Sequence, residues 1–290
     1  MPGTLHVTFA GAEASVAASI AYLGGDAAFV TALPDHAIAD ACVADLRSLG
    51  LDTRFILRTR SGRLGLYFLE TGANQRPSNV VYDRDDSSVA ITPPSAYDWD
   101  AIFRDVAWFV ISGITPAISR NAAEVTEVAL REASDRGVRV AFDMNYRGKL
   151  WRWDRSVPPR ELAMRTIRAL LPRVDLFVGG REDIEAALGV APGTNPDTPS
   201  EQLAHALGDQ FPRITRVAMT IRQSPSASQN HYGGMLYDRQ AERAWFGPGE
   251  GELYPISRIV DRIGTGDAFT AGLLFALTTP GLNEPQTVIR

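Results

Sequence analysis

One acidic residue near the end of the chain stands directly after two closely spaced glycines. The stretch reads Gly264-Thr265-Gly266-Asp267 and continues into an apolar segment, 268–277, that predicts a helix. Backbone N–H groups at a helix start are unpaired and partly positive, so they bind anions, and glycines there let a ligand approach closely. A carboxylate beside such a site can take a proton from an attacking hydroxyl while the amides stabilise developing charge. The residue types and their spacing therefore favour phosphoryl transfer.

Asp267 also has a purely structural interpretation. Aspartate is among the preferred N-cap residues of helices, so its role could be limited to capping a buried helix. These residues alone give the two interpretations equal weight, and the rest of the chain must decide between them.

Size and composition limit the other possibilities. The chain has 290 residues, of which 45% are hydrophobic and 22% charged, and its formal net charge is −5. These values fit one large α/β domain or one domain with a small appendage, and they argue against a broad nucleic-acid-binding face. Cys42 is the only cysteine, which excludes an internal disulfide and favours a reducing compartment. Because no transmembrane-length apolar run or signal-peptide pattern occurs, we expect a soluble, cytoplasmic protein with no membrane or nucleic-acid partner.

Strands and helices alternate over most of the chain, which indicates a parallel sheet flanked by helices. A helix of small residues opens this pattern at 10–25. The strands predicted after it are 27–33, 106–112, 138–143, 175–178 and 216–221, and the helices are 38–49, 121–136, 161–171, 181–189 and 200–207. A hairpin is expected around Gly233-Gly234.

The pattern changes between residues 53 and 91. Three short strands, 54–58, 63–69 and 79–84, follow one another with no room for helices, which predicts an antiparallel insert with residues 5–9 as a fourth strand. Tyr67, Tyr82 and Arg84 lie in this insert, and strand alternation places Tyr82 and Arg84 on one face. The insert would serve as a lid over a ligand or as a dimer surface, and the alternative is a solvated strand edge.

Polar residues follow two of the predicted core strands, at the edge where open α/β sheets bind ligands. Asn145 and Arg147 come after strand 138–143, and an arginine there suits a carboxylate or phosphate, although loop arginines are often only solvated. Glu182 and Asp183 begin the helix after strand 175–178, where they either complement the helix dipole or contact Mg²⁺ through water.

Two motifs at opposite ends of the chain resemble the signatures of one family. Residues 11–17 (GAEASVA) resemble the amino-terminal signature of the ribokinase-like (PfkB) carbohydrate kinases, and residues 261–267 (DRIGTGD) resemble their carboxyl-terminal signature. Within that family the likeness is greatest to the 2-keto-3-deoxygluconate kinases, through 62–70, 80–84 and 143–147. The resemblance implies a three-layer α/β/α ribokinase-like fold with a mostly parallel central sheet and a small β-sheet lid. It also implies a single kinase domain over 1–290, in which lid strands at 4–10 and 53–91 are inserted into a core of 11–52 and 92–290.

The activity that the resemblance implies is ATP-dependent phosphorylation of the C6 hydroxyl of 2-keto-3-deoxygluconate. Asp267 would be the general base, and the amides of Gly264, Thr265 and Gly266 the anion hole. The expected substrate contacts are Gly11, Tyr67, Tyr82, Arg84, Asn145 and Arg147. The expected nucleotide contacts are Arg222, Ser224, Ser226, Gly264 and Gly266. Asp183 would contact Mg²⁺ through water, and the lid would join a homo-oligomer.

The chain departs from the family pattern at a few positions. Ala10 replaces a glycine, Ser15 an asparagine, and Gly180 and Asp183 an asparagine and a glutamate. Both ends look short relative to the family. Two alternatives therefore stay open: a kinase for a neutral sugar of the fructose or ribose type, and a truncated, catalytically inactive relative that only binds ligand. A P-loop NTPase is disfavoured, because no glycine loop ends in Lys-Ser or Lys-Thr.

Overall fold

A computed structural model of the chain describes residues 3–72, 74–191, 193, 197–226, 228–259, 261 and 263–290. Arg262, which belongs to the 261–267 motif, lies outside the described residues. The helices are α1 (Ala12–Tyr22), α2 (Ala37–Ser48), α3 (Ser88–Ile91), α4 (Trp99–Ile102), α5 (Thr115–Ile118), α6 (Arg120–Asp135), α7 (Pro159–Leu170), α8 (Arg181–Leu188), α9 (Ser200–Gln210), α10 (Thr265–Thr278) and α11 (Pro285–Ile289). The strands are β1 (Thr31–Pro34), β2 (Ile56–Thr59), β3 (Leu66–Glu70), β4 (Asn79–Asp83), β5 (Trp108–Ser112), β6 (Arg139–Asp143), β7 (Leu176–Gly179), β8 (Arg216–Ser226), β9 (Gln229–Asp238), β10 (Arg243–Gly247) and β11 (Tyr254–Ser257).

The central sheet has seven strands in the described part of the chain. β5, β6, β7 and β8 pair side by side in parallel, and β9 returns antiparallel along β8. β10 and β11 both pair antiparallel with the far edge of β9. The sheet is mostly parallel, as predicted. The carboxyl ends of β5, β6 and β7 therefore meet at one edge.

Helices cover both faces of this sheet and create two apolar layers. On one face Phe142 and Phe177 pack among residues of α6 to α9. On the other face Ala141 and Leu176 pack against α1, α10 and α11. Strands buried on both faces read as apolar runs, which is the pattern of β5, β6, β7 and the first half of β8. The predicted three-layer α/β/α architecture is confirmed. No helix in the described ranges combines the length and apolarity needed to cross a membrane.

The insert differs from the prediction in its pairing. Only β3 and β4 form an antiparallel pair, in which Tyr67 lies opposite Tyr82. The first predicted strand, observed as β2, pairs in parallel with β1 and forms a separate two-stranded sheet. The lid of the described chain is therefore a hairpin, because the strand partner of 56–59 is supplied from residues 31–34 rather than from the insert.

The predicted strand at residues 5–9 does not form. Residues 3–11 have no helix or strand, and the side chains of Leu5 and Val7 are 76% and 82% exposed. The expected hairpin around Gly233-Gly234 is also wrong, since both glycines lie inside β9. A Cβ on Gly234 would stand 2.7 Å from the ring of Phe269, so this glycine makes room for α10.

Candidate active site

The turn before α10 leads directly into the helix that carries Asp267. Gly264 is the N-cap of α10, with φ +81° and ψ 2°, a left-handed conformation that glycine adopts without strain. Its carbonyl accepts the N–H of Ala268 at 2.8 Å, the first bond of the helix. Asp267 is the third residue of α10, so its interpretation as the N-cap is wrong. Its carboxylate belongs instead to the first turn of the helix, two residues beyond Thr265.

The carboxyl group of Asp267 is buried and holds its proton more tightly than usual. Burial and the negative charge of Glu13 raise its pKa to about 6, while the charge of Arg147 and hydrogen bonds from Ser15 and Asn145 lower it. The Asn145 Nδ2 atom donates to Asp267 Oδ1 at 3.5 Å. A carboxyl group with such a pKa is ionised at neutral pH and basic enough to take a proton.

Asp143 is a second buried acid, at the carboxyl end of β6. Burial, followed by the charges of Asp267, Asp183 and Glu13, raises its pKa to about 7, against the lowering effect of Arg147. Its Oδ1 atom accepts the N–H of Asn145 at 3.1 Å. The two acids and Asn145 thus form one cluster between β6 and α10.

Asn145 joins the two acids through its side-chain amide. Its Nδ2 atom lies 3.5 Å from Asp143 Oδ2 and 3.5 Å from Asp267 Oδ1. Its backbone has φ +37°, which is uncommon for a residue other than glycine. Within the described chain its buried Oδ1 atom has no hydrogen-bond partner. An orphaned buried acceptor indicates a place for a ligand donor or a water.

The lid contributes two tyrosines and an arginine. The rings of Tyr67 and Tyr82 have centroids 6.5 Å apart, and the Arg84 guanidinium lies 5.8 and 5.5 Å from those two centroids. Burial raises the pKa of Tyr67, Arg84 lowers it, and Asp261 and Asp267 raise it further. The inner face of the lid hairpin therefore faces the start of α10.

Arg84 and Arg147 lie close enough for their charges to interact. Burial lowers the pKa of Arg84, the charge of Glu13 raises it, and the like charge of Arg147 lowers it. In the described ranges neither arginine has a carboxylate oxygen within ion-pair distance, although other arginines do. Arg147 instead donates through Nη1 to the backbone carbonyl of Tyr146 at 3.2 Å. Two guanidinium groups without carboxylate partners suit an anionic ligand.

The start of α1 closes the remaining side. Gly11 is the N-cap of α1 in an extended conformation that any residue adopts. A Cβ there would meet only Ala14 Cβ, at 3.9 Å, so the protein itself does not require glycine. Glu13 Oε1 accepts three hydrogen bonds from the end of β5: Ser112 N at 3.0 Å, Ser112 Oγ at 2.7 Å and Thr115 Oγ1 at 2.7 Å.

The comparisons with known proteins bear on this geometry. Residues 2–221 match the family described as pfkB family carbohydrate kinase. The chain belongs to the pfkB family of carbohydrate kinases. The match stops before α10, so the Gly264–Asp267 turn lies beyond the matched range.

Individual relatives cover more of the chain. This pfkB kinase is 33% identical over 274 residues to 2-dehydro-3-deoxygalactonokinase of Haloferax volcanii, covering 94% of this chain and 76% of the relative. It is similar to the crystal structure of 2-dehydro-3-deoxygluconokinase from Thermotoga maritima, with a TM-score of 0.86, 35% identity, and 98% of this chain and 82% of that chain covered. It is 22% identical to 2-dehydro-3-deoxygluconokinase of Bacillus subtilis, over 99% of this chain and 79% of the relative. The expected family and carbohydrate kinase activity are confirmed.

Of the residues expected to contact the nucleotide, Gly264 and Gly266 lie at the start of α10, and the other three lie on β8. In this pfkB kinase Arg222 Nε and Ser224 Oγ both donate to Asn230 Oδ1, at 3.2 and 2.6 Å. The charge of Arg222 also acts on Tyr232, whose ring packs edge-on against Phe269 of α10. Ser226 lies further along the strand.

Asp183 is the residue expected to act on Mg²⁺ through water. Its Oδ2 atom accepts the backbone N–H of Gly180 at 2.8 Å, which leaves its second oxygen for a water. Burial raises its pKa, and the Gly180 N–H and the charge of Arg147 lower it. In the described ranges no three His, Cys, Asp or Glu residues are arranged to hold a metal. One carboxylate fits Mg²⁺ in kinases, because this ion keeps several waters and binds substrate phosphates.

Sequence reasoning gave no role to Glu13 and Asp143. Both stand inside the motifs at 11–17 and 143–147, and Asp143 is the last residue of a core strand. Because strand ends form ligand sites in α/β sheets, that position was a usable signal for Asp143. For Glu13 no local signal exists, since its partners are 99 and 102 residues away.

Proposed function

We propose that this carbohydrate kinase transfers the γ-phosphoryl group of ATP to the C6 hydroxyl of 2-keto-3-deoxygluconate, giving 2-keto-3-deoxy-6-phosphogluconate. The observation that carries the proposal is the closeness of Arg147 to both Arg84 and Asp267, with no carboxylate in ion-pair distance of either arginine in the described ranges. A sugar acid has a carboxylate at one end and a primary hydroxyl at the other. The two arginines suit the carboxylate, and Asp267 suits the primary hydroxyl.

In this proposal, each group of the site has a defined role in binding or catalysis. Asp267 takes the proton of the C6 hydroxyl as it attacks, and the amides of Gly264, Thr265 and Gly266 stabilise the charge on the transferred phosphoryl group. Tyr67 and Tyr82 hold the Arg84 guanidinium beside the sugar-acid carboxylate.

The remaining contacts position substrate, nucleotide and metal. Arg147 would share the carboxylate with Arg84, while Asn145 would donate to the sugar through the amide that also contacts Asp267. Gly11 leaves room for the sugar ring or chain. Arg222, Ser224 and Ser226 would lie along ATP. Mg²⁺, when bound near Asp183, would supply charge neutralisation of the phosphates.

The names of the relatives support a sugar acid over a neutral sugar. Two are 2-dehydro-3-deoxygluconokinases and one is a 2-dehydro-3-deoxygalactonokinase. We therefore place the gluconate-derived acid first and the galactonate-derived epimer second. A kinase that draws on ATP, in a chain with a single cysteine, fits a cytoplasmic location.

We also propose a homodimer through the outer face of the lid. Phe68 and Val81 lie opposite each other on that face and are 45% and 54% exposed. Strand alternation puts them on the side away from Tyr67 and Tyr82. An apolar strand face that repeats in a second copy is self-complementary across a twofold axis.

Replacement of Arg84 tests the substrate assignment. Arg84→Ala should raise the KM for the sugar acid by roughly 10- to 100-fold, the value of one charge-assisted hydrogen bond. Turnover of fructose or ribose should change far less. The measurement is an ATP-coupled assay with both epimeric acids and the neutral sugars.

A second lid arginine supplies the control. Arg76 pairs with Glu70 at the exposed end of the hairpin, so Arg76→Ala should leave both substrate classes unaffected. Preferential turnover of a neutral sugar by the wild type would overturn the sugar-acid assignment. Binding of the acid without any ATP turnover would favour an inactive, ligand-binding relative.

A further inference from the structure

We propose that Glu13 is a positioning residue: its anchor on the end of β5 holds the first turn of α1 in register with the loop that carries Asp143 and Asn145. The inference rests on the proposed function only for its kinetic readout. Glu13 Oε1 accepts Ser112 N at 3.0 Å and the hydroxyls of Ser112 and Thr115, each at 2.7 Å. Hydrogen bonds to a carboxylate are the strong ones, so three on one oxygen make a firm anchor.

The anchored loop is itself ordered by a further bond. The hydroxyl of Ser112 donates to Glu13 and also accepts the N–H of Ile114 at 3.2 Å. The three donors to Glu13 thus come from a single turn of chain, Ser112–Thr115, rather than from scattered residues. A displacement of Glu13 would leave the buried hydroxyl of Ser112 without its acceptor.

The same turn touches the catalytic loop directly. The N–H of Gly113 donates to the backbone carbonyl of Asp143 at 2.8 Å. A Cβ on Gly113 would stand 2.2 Å from the carbonyl oxygen of Met144, so only glycine permits this approach. From Asp143 the contacts continue through the Asn145 amide to the carboxylate of Asp267.

The first turn of α1 reaches Asp267 by a second route. Ser15, one half-turn beyond Glu13, hydrogen-bonds with the Asp267 carboxylate. The helix that Glu13 anchors and the loop that Gly113 supports therefore approach the base from two sides. Loss of the Glu13 anchor should therefore disturb both the contact of Ser15 with Asp267 and the contact of Asn145 with Asp267.

Two substitutions at position 13 separate the anchor from the charge. Glu13→Ala removes the acceptor, and we expect kcat to fall on the order of 10- to 100-fold, the effect of a small misplacement of catalytic groups. The KM for ATP should not rise by a comparable factor. Glu13→Gln keeps an acceptor oxygen for the three donors and should recover the rate to within roughly fivefold of wild type. Glu127→Ala, an exposed glutamate on α6, is the matched control.

A double substitution tests whether Thr115 acts through its hydrogen bond to Glu13. Thr115→Val removes one donor at constant shape. If the anchor acts as described, Glu13→Ala with Thr115→Val should be no slower than Glu13→Ala alone, because the bond is already lost. Additive losses, or a Glu13→Gln enzyme as slow as Glu13→Ala, would overturn the proposal.

An exchange measurement keeps the inference testable apart from the substrate assignment. Amide hydrogen exchange in Glu13→Ala should accelerate at 112–115 and at 143–147, with smaller changes in Glu13→Gln. Exchange that accelerates in α1 alone would contradict the anchor. The kinetic arm uses whichever sugar the wild type phosphorylates. An error in the proposed substrate would therefore show in the substrate preference of the wild type, whereas an error in the proposed anchor would show only in the rates and exchange of the variants.

Discussion

Replacement of Asp267 by asparagine is the most direct test of the catalytic cluster. Asparagine keeps the size and one acceptor oxygen, so the amide of Asn145 retains its partner at Oδ1. It cannot take a proton at neutral pH. General-base catalysis contributes on the order of 10²–10⁴ in rate, and kcat should fall by that factor. The Kd for ATP should remain near that of the wild type, since the base acts on the acceptor hydroxyl.

The pH profile gives the same prediction a second, independent signature. A base with a pKa of about 6 must be ionised to act, so kcat/KM should rise with pH and level off above about pH 6. At pH 5 only about a tenth of such a group is ionised, whereas a carboxyl at its ordinary pKa would be more than about nine-tenths ionised. Wild-type kcat/KM at pH 5 should therefore be about tenfold below the plateau. The charged and titratable groups that face Asp267 are Glu13, Asp143, Arg147 and Tyr67.

The assay is a coupled measurement of ADP release from pH 4.5 to 8.5, with coupling enzymes shown not to limit the rate. In Asp267→Asn the acidic limb near pH 6 should disappear along with the rate. Either of two results would refute the reasoning: an Asp267→Asn enzyme within tenfold of wild type, or an unchanged acidic limb in that variant. A melting temperature at or above that of the wild type would show that the loss is chemical.

The remaining predictions concern backbone, stability and assembly. Gly264→Ala should lower the free energy of unfolding by roughly 1–2 kcal/mol, because φ +81° is costly with a Cβ, while Gly266→Ala, with no atom near its Cβ, should not; thermal unfolding compares them. Because the folded pKa of Asp143 is raised, the wild type should lose stability, on the order of 2–4 kcal/mol, as pH rises from about 4 through about 7. Asp143→Asn should not show this loss, and melting temperatures at pH 5 and pH 8 measure the difference. Phe68→Glu should halve the mass in light scattering if the lid forms the dimer, and an unchanged mass would exclude that interface.

The core of the fold was predictable because its signals are local. β5, β6 and β7 are short, largely apolar runs separated by helical periods, and that pattern indicates a parallel sheet covered on both faces. The turn at Gly264–Asp267 is also encoded locally, since glycine spacing and the following apolar helix are visible in a dozen residues. The alternative interpretation of Asp267 as the N-cap is wrong by three positions, because the N-cap is Gly264 and the helix begins at Thr265.

Strand pairing was predictable only in part, because a strand sequence does not specify its neighbour. β2 has the same alternating character as β3 and β4, yet its partner is β1, 25 residues upstream at Thr31↔Ile56. The alternation at residues 5–9 likewise gave no strand: the side chains of Leu5 and Val7 are exposed, and no strand pairs with this segment in the described chain. A period of two indicates a strand only where a partner edge is within reach.

The acids of the site show where sequence reasoning stops. Asp267 could be proposed as a catalytic residue from its neighbours in the chain, because the glycine turn that precedes it is visible in the sequence. The effect of Glu13 depends on Ser112 and Thr115, which lie in a different strand and a different helix. Burial raises the pKa of Asp143 only after β6 is covered on both sides. A candidate base can thus be proposed from a short stretch of sequence, whereas its proton affinity depends on the folded chain, because burial and the charge of Glu13 set the pKa of Asp267.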